Sequence, residues 1–196
     1  MYIYDKLSGS YSSSGIYRHL ISGVLFPVLL FLFPQYLHAQ RIAVRTNVVQ
    51  WAAASPNLGL EFALGDRFTF ECTAGMSPIR LTDTWYFKHL HVQPELKYWF
   101  ENLMARHYVG VTAFASTFDL AMGKRAAFGD AYAIGGTYGY QWILSRRWNL
   151  ELAAGLGVIR HRTVRYVPGS GHGRPNQSGW TFAPVKTGIS LVYILK

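Results

Sequence analysis

The sequence predicts an all-β fold, an eight-stranded antiparallel up-and-down transmembrane β-barrel that follows an N-terminal signal peptide. Three observations predict it. Polar and apolar residues alternate along most segments after residue 40, and a period of two is that of a strand with one wet and one apolar face. The connecting segments alternate in length, and aromatic residues gather at one end of the predicted strands. Both features are typical of bacterial outer-membrane barrels.

The start of the chain predicts export. An uncharged apolar stretch, residues 20–33, follows a polar beginning. This stretch is shorter than the roughly 20 residues of a transmembrane helix, and its length suits the apolar part of a signal peptide. We therefore expect residues 1–39 to be a cleaved signal peptide and residues 40–196 to form the barrel domain in the outer membrane. An uncleaved membrane anchor is the alternative.

The alternation predicts eight strands in sequence order. They are residues 42–51, 57–64, 67–76, 89–100, 107–118, 131–144, 148–166 and 180–196. Short turns follow the second, fourth and sixth strands, and longer loops are predicted at 77–88, 119–130 and 167–179. With a periplasmic N-terminus, the short turns face the periplasm and the long loops face outside. Pro94 and Pro184 lie inside strands and predict bulges, because proline removes a hydrogen bond from the ladder.

The polar face of the strands is predicted to face the interior. An Arg or Lys in contact with lipid at the bilayer midplane would cost roughly 2–4 kcal/mol. Eight strands leave an interior that side chains fill, so we expect no pore. Buried charges are tolerated only when they are paired, which predicts a structural ion-pair network. Its members are Arg45, Glu61, Arg67, Glu71, Glu95, Lys97, Glu151 and Lys186.

The formal charge of the chain is +9, and basic residues cluster near the predicted long loops. A basic surface suits nucleic acid or phosphate-rich lipid. Since exported chains rarely meet nucleic acid, we expect contact with outer-membrane lipid and lipopolysaccharide or with an acidic partner. Ordinary solvated loop charge is the alternative. The residues are Arg80, Lys88, Lys124, Arg125, Arg160, Arg162, Arg165 and Arg174.

No motif indicates catalysis, a cofactor or a metal site. The single cysteine, Cys72, excludes an internal disulfide and a structural zinc cluster of cysteines. His89 and His91 share one face of a predicted strand, but a third ligand is missing, so we interpret them as ordinary polar residues. No serine lies in a nucleophile elbow. A Ser-His-acid site stays open, because its members meet in space and not in sequence.

Several segments resemble an uncharacterised family of exported Bacteroidetes proteins, the domain of unknown function 3575, of the small outer-membrane β-barrel type. The segments are residues 45–47, 56–61, 92–100, 138–142 and 148–151. The most specific is QPE-x-x-YWF at residues 93–100. Members of that family are regarded as outer-membrane barrels that are often encoded beside fimbrial components. The resemblance thus implies a role at the cell surface and no established activity.

The function we expect is that of a non-enzymatic small outer-membrane barrel with a structural or docking role at the cell surface. Fimbrial or other surface proteins are the expected partners. One alternative is a lipid-modifying outer-membrane barrel enzyme. The other is a soluble lipocalin-like barrel that binds a ligand, in which the apolar face would point inward while Glu95 and Lys97 faced solvent.

Overall fold

The structure is a computed structural model. It describes residues 41–82, 84–123, 125–166 and 177–195. The predicted signal peptide, residues 1–39, lies outside the described residues.

One antiparallel sheet and one short helix form the described chain. The strands are β1 Ile42–Asn47, β2 Asn57–Ala63, β3 Phe68–Thr82, β4 Trp85–Trp99, β5 Arg106–Met122, β6 Arg125–Ile143, β7 Trp148–Tyr166 and β8 Gln177–Ile194. Helix α1, Val48–Ala52, connects β1 to β2. No helix within the described ranges is both long and apolar enough to cross a membrane.

The sheet closes on itself. Each strand pairs with the next strand in sequence, and β1 pairs with β8, which completes a ring of eight strands. The predicted all-β, antiparallel arrangement in sequence order is therefore confirmed. We call the end of the ring that holds Ile42 and Ile194 the proximal end. The opposite end, where β3 stops at Thr82 and β4 starts at Trp85, is the distal end.

Alternation sorts the side chains by polarity. On β4, Glu95 and Lys97 are 1% and 0% exposed, whereas Leu96 between them is 45% exposed. Because successive strand residues point to opposite faces, the polar set fills the interior and the apolar set covers the outside. This is the reverse of a water-soluble barrel.

Two predicted distal loops are wrong. Residues 77–88 and 119–130 are mostly strand, since β3 runs to Thr82 and β5 runs to Met122. The pairing continues through the polar residues, for example between Asp119 and Phe128. Polar side chains there indicate contact with solvent and not the end of a strand, because cross-strand pairing still satisfies the backbone. The third predicted loop, 167–179, lies mostly outside the described residues, and β8 begins at Gln177.

The predicted first strand, 42–51, is too long. The side chain of Asn47 accepts hydrogen bonds from the backbone N–H groups of Val49 at 3.0 Å and Gln50 at 3.4 Å, which caps α1 and ends β1. β1 and β2 consequently have six and seven residues. Their neighbours β3 and β8 have 15 and 18.

The short first pair leaves part of the ring wall without β-pairing. β8 pairs with β1 only from Ser190 to Ile194, and β3 pairs with β2 only up to Gly75. Distal to these points, the described residues of β3 and β8 have no backbone ladder between them. We call this part of the wall, bordered by residues 77–82 and 177–189, the wall gap.

The two strand prolines behave differently. The pairing of β7 with β8 shifts register where Gly155 faces Lys186 and Leu156 faces Pro184, so Val185 is the extra residue. The bulge predicted at Pro184 is thus confirmed. At Pro94 the prediction is wrong, because the β4–β5 ladder is interrupted there but keeps the same register on both sides.

Candidate functional site in the interior

The proximal end of the interior is closed by tightly packed side chains. Trp99, Met104 and Tyr108 are at most 1% exposed. The turn after β4 folds Met104 inward, where its backbone carbonyl accepts hydrogen bonds from Gln141 Nε2 at 2.7 Å and Asn149 Nδ2 at 3.0 Å. These five residues form what we call the proximal plug.

Arg45 is the centre of the ion-pair network above the plug. Its Nη1 atom lies 2.9 Å from Glu61 and 2.5 Å from Glu71. Its Nη2 atom forms an ion pair with Glu151. A guanidinium suits this position, because its planar fork of donors can serve several carboxylates at once.

Two lysines bind the same carboxylates and extend the network to Glu95. Lys97 Nζ lies 2.7 Å from Glu71 and 2.9 Å from Glu151. Lys186 lies 3.3 Å from Glu71 and forms an ion pair with Glu95. Every member is thereby compensated by opposite charge, which is the condition for burying ions in a protein interior.

Threonine hydroxyls satisfy further carboxylate oxygens. Thr69 donates to Glu61 at 2.6 Å and Thr73 donates to Glu71 at 2.9 Å. Within the described network four carboxylates face three cations, so hydrogen bonds from neutral donors help to compensate the additional negative charge.

The structure brings seven of the eight predicted network residues together. They are Arg45, Glu61, Glu71, Glu95, Lys97, Glu151 and Lys186. Arg67 is a correction. It lies in the turn between β2 and β3, is exposed, and donates to the backbone carbonyl of Phe100 at 2.7 Å. Alternation does not fix the direction of a side chain in a turn.

Distal to the network, the interior widens into a cavity of about 350 Å³. Its floor is polar and includes Arg45 and Lys186, whereas Phe87, Phe114 and Val185 contribute apolar walls. This volume falls within the range of small-molecule sites, roughly 300–1,000 Å³. Such a mixed lining suits a molecule with one polar and one apolar part.

Ser55 and His89 meet at the cavity. The Ser55 hydroxyl lies 2.8 Å from His89 Nε2, and both residues line the cavity. Ser55 is only 4% exposed, because it lies between α1 and β2 on the inner side of that connection. A hydroxyl in hydrogen-bond contact with an imidazole is the arrangement that activates a serine nucleophile. Sequence reasoning missed this pair, since its members are 34 positions apart and no motif connects them.

Polar atoms at the cavity lack hydrogen-bond partners. Gln50 Oε1, His89 Nδ1 and His91 Nε2 are buried and unpaired among the described residues. Buried polar groups are nearly always paired, so these atoms mark a place suited to another molecule. His89 and His91 stack with ring centroids 5.5 Å apart. The described residues contain no group of three or more His, Cys, Asp or Glu that could hold a metal ion.

Comparison with known proteins identifies the family. The family profile described as protein of unknown function (DUF3575) matches residues 25–195. The chain belongs to this family. The resemblance indicated by the sequence segments is confirmed at that level. No curated protein and no solved structure matches the chain.

Five of the eight basic residues predicted to contact lipopolysaccharide or a partner are described with their side chains, and they lie toward the distal end on β4, β6 and β7. Arg125, Arg160, Arg162 and Arg165 are exposed. Arg160 stacks over Trp180 with its guanidinium carbon 5.5 Å from the ring centroid. Lys88 is partly buried, and its Nζ lies 5.5 Å from the ring centroid of Tyr86. Lys124, Arg174 and the side chain of Arg80 lie outside the described part of the structure.

Proposed function

We propose that this DUF3575 chain is a small transmembrane β-barrel of the outer membrane, with a sealed interior and a structural or docking role at the cell surface. One observation carries the proposal, the inside-out distribution of polarity in a closed sheet. Lys97 and Glu151 are fully buried, whereas Val111 and Ile134 are 60% and 63% exposed. Water would disfavour so much exposed apolar surface, but a bilayer favours it.

Aromatic residues near the proximal end support a membrane interface. Their rings contact one another along several strands, with centroid distances between 4.7 and 5.6 Å. The pairs are Phe68–Tyr98, Tyr98–Phe100, Tyr140–Trp142 and Trp148–Tyr193. Aromatic side chains concentrate at the boundary between lipid and water, so this belt fits the inner boundary of an outer-membrane barrel.

The burial of Glu95 and Lys97 argues against the lipocalin-like alternative. That alternative requires both side chains to face solvent, yet they are 1% and 0% exposed. A soluble barrel that binds an apolar ligand would also need an apolar interior, and the centre here is ionic.

The sealed interior favours a surface role over transport. Among the described residues, the proximal plug and the ion-pair network fill the interior between the proximal end and the cavity, which argues against a conducting pathway. The exposed arginines Arg160 and Arg162 are suited to lipopolysaccharide phosphates or to acidic groups on surface proteins. Fimbrial proteins are the candidates that the family resemblance implies.

A lipid-facing substitution tests the membrane placement. Val111→Arg should destabilise the protein by about 2–4 kcal/mol if Val111 contacts lipid near the midplane. The same change at Leu81, 77% exposed at the distal end, should cost about 0–1 kcal/mol. Unfolding in urea from lipid vesicles, followed by tryptophan fluorescence, gives both values. Equal and negligible costs would contradict the proposal, because an exposed valine in water tolerates arginine.

Conductance and fractionation test the remaining parts. The protein should fractionate with outer membranes and migrate differently on gels before and after heating. Purified protein in planar bilayers should produce no conductance steps. Steady steps would contradict the sealed interior while leaving the membrane placement intact.

The second candidate function is a lipid-modifying outer-membrane enzyme. The specific observation that favours it is the 2.8 Å contact of Ser55 Oγ with His89 Nε2 beside the cavity. This candidate shares the proposed membrane placement with the first. It differs in assigning a catalytic role to the cavity in the distal half of the ring.

A further inference from the structure

The wall gap and the cavity lie on the same side of the ring. The cavity is bounded on this side by the connection between β1 and β2, which contributes Val49, Gln50, Ala53 and Ser55 to its lining. Elsewhere each strand has β-pairing on both sides, apart from the interruption of the β4–β5 ladder at Pro94. Among the described residues, a short helix and a few residues after it separate the cavity from the surroundings at the wall gap.

Apolar side chains surround the wall gap on the outside. Trp51 of α1 is 54% exposed, and Trp180 and Phe182 on β8 are each 69% exposed. In the proposed membrane placement these side chains contact lipid acyl chains. An unpaired strand border leaves backbone N–H and C=O groups without ladder partners. Acyl chains cannot pair with these groups, so α1 and the residues that connect it to β2 have to cover the border.

We propose that the wall gap admits an acyl chain of a membrane lipid sideways into the cavity, where Ser55 as nucleophile and His89 as general base cleave the O-acyl ester of that lipid. This inference rests on the proposed membrane placement. It develops the second candidate function, the lipid-modifying enzyme, and it leaves the barrel and its sealed proximal half unchanged.

The cavity lining matches the head and tail of an acyl ester. Phe87, Phe114 and Val185 provide apolar contacts for a chain. Lys186 and His91 Nε2, which has no partner in the described part of the chain, provide polar contacts near the network. The wall gap lets the chain stay in an apolar environment throughout its entry. Entry through the aqueous distal opening would first expose the chain to water at about 25 cal/mol for each Å².

The chemistry needs no further reactant than water. Ser55 Oγ attacks the ester carbonyl carbon while His89 Nε2 takes the hydroxyl proton. The ester C–O bond breaks, and the departing alcohol receives that proton from His89. Water then attacks the acyl-serine with His89 again as base, which releases the fatty acid and returns the proton to Ser55. The net reaction is ester plus water to alcohol plus acid.

His89 is oriented for this role. Its Nε2 atom faces the serine, as in Ser-His-acid sites, while Nδ1 is unpaired among the described residues. The ring is held by Phe87 and His91, with centroid distances of 5.0 and 5.5 Å. Packing against these two rings thus holds the orientation of the imidazole, which is one part of the role of the carboxylate in such sites. Gln50 also lines the cavity, and the N–H group of a glutamine side chain is a type of donor that can stabilise an oxyanion.

Covalent labelling tests the pair directly. The full chain, reconstituted in vesicles, is treated with an alkyl fluorophosphonate, and the adduct is located by peptide mass spectrometry. We expect the adduct on Ser55, none in Ser55→Ala, and at least tenfold slower labelling in His89→Gln. Ser77→Ala is the matched control, because Ser77 is a buried interior serine whose hydroxyl donates to the backbone carbonyl of Phe87. If no adduct forms in protein whose gel migration still changes on heating, the inference is overturned. The proposed barrel would then stand, because the change in migration reports a folded barrel.

Substrate arms distinguish the source of the ester. One set of vesicles contains phosphatidylethanolamine and phosphatidylglycerol, and a second set also contains lipopolysaccharide. Free fatty acid is measured by mass spectrometry. Release from the first set identifies a phospholipid ester, and release from the second set alone identifies a lipopolysaccharide ester. If neither set of vesicles shows fatty-acid release that is lost in Ser55→Ala, the proposed activity is overturned.

Photo-crosslinking tests the sideways route. A phospholipid with a diazirine in its acyl chain should label Phe114 and Val185, which line the cavity and which lipid cannot contact from outside. Val111 and Ile134 on the outer face serve as the positive control for membrane embedding. Labels on the outer residues alone would overturn lateral entry. Labels on neither set would count against the membrane placement itself.

Discussion

The proximal and distal halves of the ring have different interiors although one alternating sheet forms both. In the proximal half all eight strands pair and the interior is filled by the plug and the ion-pair network. In the distal half the wall gap interrupts the pairing, and the interior contains a cavity with polar atoms that have no partner among the described residues. The comparison shows that the alternation of residues decides which side chains point into the interior of the ring. The length of the strands decides whether those side chains fill it.

Asn57 is the residue that connects the two halves. Its Oδ1 accepts from the backbone N–H of Asn47 at 2.7 Å, and its Nδ2 donates to the carbonyls of Asn47 at 3.0 Å and Ser55 at 3.2 Å. These bonds fix the end of β1 to the start of β2. They also hold the connection that carries Ser55, so local capping and positioning of the candidate nucleophile share one side chain.

The largest expected effect lies at the centre of the proximal half. Arg45→Met should destabilise the protein by about 3–5 kcal/mol, because it leaves buried carboxylates without their shared cation. Arg67→Met is the matched control, since Arg67 is exposed and donates to the backbone carbonyl of Phe100. This change should cost less than about 1 kcal/mol. Urea unfolding of both variants in the same vesicles measures the difference. A small loss for Arg45→Met would mean that water enters the network.

A pair of glycines on β6 should give a smaller effect. A Cβ at Gly139 would lie 2.4 Å from ring atoms of Tyr108, whereas a Cβ at Gly136 would meet nothing within 4 Å. Tyr108 cannot move aside easily, because its ring packs on Trp99 at 4.8 Å. Gly139→Ala should therefore cost about 1–3 kcal/mol by overpacking.

Gly136→Ala is the control for that change. It should be neutral or stabilising by up to about 1 kcal/mol, since alanine restricts the unfolded chain more than glycine does. Thermal unfolding of the two variants measures the contrast. Equal stabilities would show that the proximal plug is less tightly packed than the contacts indicate.

The sequence predicted the interior of the proximal half better than that of the distal half. The strand parity of Glu95 and Lys97 predicted their burial, because period two links every residue of a strand to one face. Arg67 escaped this rule since it lies in a turn. The Ser55–His89 contact depends on where α1 ends β1, and the alternating pattern 42–51 gave no sign of a helix there.

The smallest expected effect lies in the distal half, at His91. Gln93 lies on the same face of β4, and its substitution should have a larger effect. His91 is 5% exposed, its Nε2 is unpaired among the described residues, and its ring lies 5.8 Å from that of Phe114. His91→Phe keeps the flat ring and removes a buried unpaired polar atom, so it should be neutral or stabilising by up to about 1 kcal/mol. Gln93→Leu is the matched comparison, because Gln93 Nε2 donates to Thr112 Oγ1 and to the carbonyl of Val185, both at 3.1 Å.

The glutamine change should cost about 1–3 kcal/mol, since it leaves the Val185 carbonyl without this partner. Urea midpoints of the two variants, measured with and without lipopolysaccharide in the vesicles, give the comparison. If His91→Phe lowers the free energy of unfolding by more than about 1 kcal/mol in vesicles without lipopolysaccharide, His91 Nε2 has a hydrogen-bond partner and the prediction is wrong. A loss that appears only with lipopolysaccharide would mean that a ligand in the cavity bonds to His91, because ligand that binds only the folded state stabilises it by mass action.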